Sequence, residues 1–66
     1  MEAPKINETW HVRYGEAIGK EYNILVRIDE DKKELKPPNW RKNRYKCEHK
    51  GSEIYVDGEM MIEKFN

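Results

Sequence analysis

Short stretches in which apolar and polar residues alternate one by one restrict this chain to β-strands. The first stretch places Trp10, Val12 and Tyr14 on one face, with polar residues between them. A period of two puts such residues on one side of a strand, whereas a helix repeats after about 3.6 residues. The second stretch, residues 22–29, does the same with four apolar residues, and Leu25 is the single apolar residue on its opposite face. We therefore predict two half-buried strands.

A third strand is predicted beyond a polar segment. Residues 29–36 are mostly charged and Pro37–Pro38 block regular pairing, so we expect a turn there with at most a brief edge strand. Residues 44–50 then alternate Tyr45, Cys47 and His49 with charged residues. This pattern is typical of a strand with one solvated face.

The last segment is predicted to be a hairpin with a three-residue loop at residues 56–58. This register pairs Ile54 with Met60 and leaves Ile62 on the same face. Burial of each such side chain contributes roughly 1.5–3 kcal/mol, which outweighs the differences between turn types. Counted together, about five short strands with tight turns predict an all-β fold, either a small strongly bent antiparallel sheet or an SH3-like barrel.

The length of 66 residues predicts a single domain, with residues 1–8 as a flexible lead-in. A chain of this size buries only about 60% of its unfolded surface, so a tight monomer or a homodimer that shares apolar surface would both suit it. No apolar run exceeds three residues, as in Ile24–Val26, whereas a membrane helix needs roughly 20 apolar residues. With one cysteine and no leader pattern, we expect a cytoplasmic protein that does not bind membranes.

Reactive side chains do not form a pattern that indicates an enzyme. His11, Cys47 and His49 are too few, and wrongly spaced, for a closed zinc site. A Cys47–His49 nucleophile would need a cleft that so short a chain scarcely provides. Gly15 and Gly19 lack the lysine and the helix of a phosphate-binding loop. We therefore expect no catalytic residue, no metal and no cofactor.

The zero net charge hides a basic middle segment. Residues 32–50 carry eight basic and two acidic side chains, interleaved with aromatic rings, while both flanking segments are acidic. Cations next to rings that can stack on bases are typical of single-strand binding. Exposed Trp, Tyr and Arg are equally typical of protein interfaces. The candidate partner-binding residues are Trp40, Arg41, Lys42, Arg44, Tyr45 and Lys46.

A structural interpretation of the same segment competes with both binding interpretations. In it, Trp40 and Tyr45 fill the core, and the lysine and arginine side chains pair across strands with glutamates. The glutamates available for such pairs are Glu16, Glu21, Glu53, Glu59 and Glu63. The exposure of Trp40 therefore decides between these interpretations.

A small non-enzymatic protein-binding module is the function that these features favour, acting as an inhibitor or adaptor on the surface of a partner protein. Its composition suits a bacterial or phage-encoded regulator. One alternative is binding of single-stranded nucleic acid or RNA by residues 32–50, against which the zero net charge argues. A second alternative is a small-ligand site in a homodimer groove lined by Trp10, Tyr14, Tyr22 and Tyr55.

Overall fold

The computed structural model describes residues 2–15, 19, 21–29 and 39–65. Its strands are β1 (Thr9–Gly15), β2 (Glu21–Ile28), β3 (Arg44–His49), β4 (Ser52–Asp57) and β5 (Met61–Phe65). A first 3-10 turn, Asn39–Lys42, precedes β3, and a second, Gly58–Met60, joins β4 to β5. Within these ranges no helix is long and apolar enough to span a bilayer.

All five strands belong to one antiparallel sheet in the order β4-β3-β2-β1-β5. β1 and β2 pair along their whole length, and so do β3 and β4. β2 and β3, in contrast, meet through two described pairs, Arg27 with Glu48 and Ile28 with Cys47. The predicted all-β fold of five short antiparallel strands is confirmed, and the sheet is open rather than closed into a barrel.

The alternation in the sequence turns every second residue of β1, β2 and β3 towards one core, although Tyr22 at the start of β2 remains 43% exposed. Its two indoles meet edge to face, because the ring centroids of Trp10 and Trp40 lie 6.1 Å apart with the planes 63° to each other. The buried apolar residues are Trp10, Val12, Val26, Ile28, Trp40, Tyr45, Cys47, Val56 and Met61. The predicted inward faces of the first three strands are therefore confirmed.

The predicted hairpin of the last segment is wrong. β4 pairs with β3 and β5 pairs with β1, so these two strands lie at opposite edges of the sheet. This arrangement buries Val56 and Met61, whereas the predicted register grouped Ile54, Met60 and Ile62. Of that group Ile62 remains 38% exposed. Pairing with two different partner strands depends on long-range contacts, which local turn preferences do not reveal.

Gly58 allows the two 3-10 turns to touch. A Cβ atom at this position would lie 2.6 Å from the carbonyl oxygen of Trp40 and 2.8 Å from Cα of Arg41. The N–H of Gly58 donates to the carbonyl of Asn43 (2.7 Å), whose own N–H donates to the carbonyl of Trp40 (2.9 Å). This backbone contact holds the first 3-10 turn, and with it the Trp40 indole, against the core.

Glu8 fastens the N-terminal segment to the sheet. Its Oε1 accepts hydrogen bonds from the indole N–H of Trp10 and from the backbone N–H of Lys5, each at 2.9 Å, and Lys64 Nζ lies 3.7 Å from its Oε2. Partial burial opposes ionisation, but the hydrogen bonds from Trp10 and Lys5 and the charges of Lys64 and Lys5 outweigh it and lower the pKa of Glu8 below 4.5. The carboxylate is thus stabilised in its charged form.

Residues 7 and 8 also extend the sheet beyond β1. The N–H of Asn7 donates to the carbonyl of Ile28, and the N–H of Ile28 donates to the carbonyl of Glu8, both at 2.8 Å. Pro4 is buried. The flexibility expected for residues 1–8 stays a prediction, although residues 4–8 make these contacts.

Some predicted features lie outside the described residues. These are most of the polar turn at residues 29–36 and the Pro37–Pro38 pair. Three cations of the basic segment, Lys32, Lys33 and Lys36, belong to the same group.

Candidate protein-binding surface

The two rings predicted to contact a partner lie in the core. Trp40 is 3% exposed and packs against Trp10, and the guanidinium carbon of Arg41 lies 4.4 Å from the centre of its ring. Tyr45 is fully buried, and its hydroxyl oxygen lies 3.4 Å from the Nδ2 of Asn43. The interpretation in which both rings fill the core is confirmed. Partner binding by Trp40 and Tyr45 stays a prediction, and it would require the buried rings to become accessible.

Two cations of the predicted site form ion pairs within the sheet. Arg44 Nε lies 3.4 Å from Asp57 Oδ1, and Lys46 Nζ lies 3.1 Å from Glu53 Oε2. The predicted pairing of a lysine with Glu53 is therefore confirmed. These pairs reduce the positive field of β3 and β4. Partner binding by Arg41, Lys42, Arg44 and Lys46 stays a prediction.

Cys47 and His49 face different surroundings although they are two residues apart on β3. The Cys47 thiol is 1% exposed, and its sulfur lies 3.8 Å from the carbonyl of Tyr45. His49 Nδ1 lies 2.9 Å from the carbonyl oxygen of Leu25, so this nitrogen carries the proton of a hydrogen bond. Within the described ranges, no three His, Cys, Asp or Glu residues come together as ligands for a metal ion.

An open groove of about 600 Å³ runs along β2 where β3 moves away from it. Side chains from both faces of β2 line it, as do the outer face of β1 and the tip of the β3–β4 hairpin. Tyr22 and Leu25, two large apolar residues of this groove, are 43% and 39% exposed. The lining residues, which we call the β2 groove, are His11, Tyr22, Asn23, Ile24, Leu25, His49 and Lys50.

The backbone groups of β2 point alternately towards β1 and towards the groove. Ile28 bonds to residues 7 and 8 on the β1 side, whereas the N–H of Asp29 donates to the carbonyl of Lys46 on the β3 side (2.7 Å). Direction alternates along a strand, so the N–H and C=O groups of Asn23 and Leu25 also point to the β3 side. These groups open into the groove.

The bond from His49 confirms this direction, because it reaches the Leu25 carbonyl from the β3 side. Among the described residues, no strand pairs with β2 on that side before Arg27. The histidine ring thus occupies one hydrogen-bonding position that a neighbouring strand would otherwise fill. Within the part of the chain that the structure describes, the N–H of Leu25 and both backbone groups of Asn23 form an open strand edge, the part of a sheet that most readily pairs with another chain.

The rim of the β2 groove carries positive charge. Lys50 lines it, Arg13 lies opposite Asn23 in the β1–β2 register, and none of the lining residues whose side chains the structure describes is acidic. Two carboxylates lie on strand positions next to residues that line the groove, and each already contacts a basic side chain. Glu48 accepts a hydrogen bond of 2.8 Å from Arg27, which raises the pKa of Arg27, and Glu63 Oε2 lies 3.9 Å from His11 Nδ1.

Sequence reasoning missed this groove although one signal for it was present. Leu25 interrupts the polar face of an otherwise regular strand, and the structure shows that it stands on the outer surface. The open edge itself leaves no mark in local periodicity, because it depends on where β3 departs from β2.

The four aromatic residues of the predicted ligand groove do not come together. Trp10 is buried, and Tyr14 and Tyr22 contact each other with ring centroids 6.2 Å apart. Tyr55 lies on β4, at the sheet edge that β3 and β2 separate from β1. Within one chain, these rings therefore form no shared pocket.

Comparison with known proteins adds no relative: no family model, no curated protein and no solved structure matches this chain. The function of the chain is therefore inferred from the geometry of its own structure.

Proposed function

We propose that this chain is a small, non-enzymatic protein-binding module, an inhibitor or adaptor that occupies a partner protein through the β2 groove. The observation that supports this proposal is the coincidence of two exposed apolar side chains, Tyr22 and Leu25, with an open strand edge in one groove. This groove replaces the predicted surface of residues 40–46, whose two rings belong to the core.

The chemistry of the groove suits a protein better than a nucleic acid. Backbone donors and acceptors at a sheet edge pair with another polypeptide backbone, and apolar side chains beside them give contact area. A nucleic acid would need cations together with accessible rings, but Trp40 is buried and Arg44 and Lys46 are paired with carboxylates. Binding along an open edge also needs no deep cleft, which fits a chain of 66 residues.

Affinity capture with two matched variants tests the proposal. Leu25 and Ile62 are exposed to nearly the same extent, 39% and 38%, but only Leu25 lines the groove. We expect a partner protein from cells that produce this chain to be retained by the wild type and by Ile62→Ser. Leu25→Ser, which removes the apolar contact without adding a charge, should lose it, with an affinity at least about tenfold weaker, which corresponds to about 1.4 kcal/mol.

Two results would contradict the proposal. One is equal retention of the partner by Leu25→Ser and by the wild type. The other is an equal loss in both variants, which would place the contact elsewhere or show a general effect of removing an exposed apolar side chain. Circular dichroism of both variants establishes that each remains folded.

A further inference from the structure

We infer that the β2 groove takes an extended, acidic segment of the partner protein, which adds to the sheet as a strand along residues 21–25. This inference rests on the proposed function, because it names the chemistry of the partner at the same groove. The inference goes beyond the proposed function because it specifies main-chain hydrogen bonds and an acidic partner segment, neither of which a general protein interface requires.

The first argument is the spacing of the backbone groups in the groove. The N–H and C=O of Asn23 and the N–H of Leu25 point in one direction, two residues apart along β2. Groups at this spacing, about 6.6–6.8 Å, match the two-residue repeat of an extended chain. An extended peptide satisfies all of them at once.

The second argument is the boundary that His49 sets. Its ring occupies the carbonyl of Leu25 at 2.9 Å, directly before β3 begins to pair with β2 at Arg27. An added strand therefore has space beside residues 21–25 and no further. A segment of about five residues would fill that length, which is the usual length of a strand.

The third argument is charge complementarity. Lys50 stands exposed at one side of the groove and Arg13 lies exposed on the neighbouring β1 position, while no lining residue is acidic. Carboxylates of an incoming strand would meet these cations. Tyr22 and Leu25 lie on opposite faces of β2 and offer apolar contacts between the charges. The partner segment is thus acidic with interspersed apolar residues.

Amide hydrogen exchange with three blocked peptides tests the inference directly. The first peptide alternates glutamate and valine over seven residues, the second replaces each glutamate by lysine, and the third repeats the first with every backbone nitrogen methylated, so that neither of its edges can donate a hydrogen bond. At millimolar concentration we expect the first peptide to slow exchange of the Asn23 and Leu25 amides by at least about tenfold, a change of about 1.4 kcal/mol. The amide of Ile24, which points to β1, should change little. The lysine and methylated peptides should protect Asn23 and Leu25 at least about tenfold less.

A charge variant with a matched control completes the test. Lys50→Glu reverses a cation of the groove, and Lys42→Glu makes the same change in the first 3-10 turn, outside the groove. We expect Lys50→Glu to weaken binding of the glutamate peptide at least about tenfold and Lys42→Glu to leave it within about twofold of wild type.

Several outcomes would overturn the inference. These are unchanged exchange at Asn23 and Leu25 with the acidic peptide, equal protection by the methylated peptide, and equal binding of the lysine peptide. Protection of both amides in the free protein, together with a dimeric mass, would show that a second copy occupies the edge instead. One result would separate the inference from the proposed function. If capture of a partner depends on Leu25 but the amides of Asn23 and Leu25 stay unprotected, the proposed function holds and strand addition is wrong.

Discussion

Glu8 shows how one carboxylate can join three parts of a small fold. It accepts hydrogen bonds from the Trp10 indole and the Lys5 backbone and lies near Lys64 of β5. Because the pKa of Glu8 is lowered in the folded chain, its charged form contributes stability above the unfolded value of about 4.5. That contribution is lost as the pH falls through the lower folded value.

We expect Glu8→Gln to reduce the free energy of unfolding by about 1 kcal/mol at pH 7, since a charge-assisted hydrogen bond is replaced by a neutral one. The difference from wild type should shrink as the pH falls below 4.5. Urea unfolding at a series of pH values measures both effects. Glu2→Gln is the control, because Glu2 is 90% exposed and 3.9 Å from its partner Lys5. A cost for Glu8→Gln that does not change with pH would contradict the role given to its charge.

Gly58 is the other residue on which the packing depends. We expect Gly58→Ala to destabilise the chain by about 2 kcal/mol, because a Cβ would lie 2.6 Å from the Trp40 carbonyl and the two 3-10 turns would have to separate. Thermal or urea unfolding measures the loss. Gly51→Ala is a useful comparison, since its φ of +82° causes strain but no atom lies within 4 Å of its Cβ. Wild-type stability in Gly58→Ala would show that the turns are not in close contact.

The first 3-10 turn is the element that decides how the basic segment behaves. It carries Trp40 inward, and Arg41 lies across the outer side of the ring. In the Trp10→Phe variant, we therefore expect the remaining indole to be poorly quenched by iodide or acrylamide. Stern–Volmer plots compare it with the same protein unfolded in urea, where quenching should be several times stronger. Equal quenching in the two states would contradict burial of Trp40.

Alternation was sufficient to predict the inward faces of β1, β2 and β3, because pleating fixes the side on which each residue lies. It could not predict the burial of Trp40, since a four-residue 3-10 turn is too short to show a period. Asp57–Gly58 is a common hairpin signal, but here it leads into the second 3-10 turn. The partner of each strand depends on long-range packing that no local pattern records. For the same reason the β2 groove was not predicted, although Leu25 was visible as an exception.

At the scale of the whole molecule, the described part of the basic segment, residues 39–50, presents neither its indole nor its phenol ring at the surface. Arg44 and Lys46 are paired with carboxylates of β4, and the two rings lie in the core. Positive charge that is partly neutralised attracts phosphate less strongly.

We therefore expect single-stranded DNA, RNA and duplex DNA to bind no more tightly than about 1 mM at low salt, an affinity of about −4 kcal/mol. Fluorescence anisotropy at two salt concentrations measures this. Micromolar binding that weakens steeply with salt would favour nucleic-acid binding by residues 32–50 over the function proposed above.

The position of β5 beside β1 sets the order in which this sheet can form. Thr9 pairs with Phe65, and these two residues lie near opposite ends of the described chain. Closing so large a loop costs conformational entropy before the contacts between β1 and β5 form. Sheets with such non-local pairing fold over roughly milliseconds to seconds. During synthesis the first strand must wait until the last has left the ribosome. Until then the unpaired side of β1 is exposed to other nascent chains, and assistance from a chaperone would be most useful in that interval.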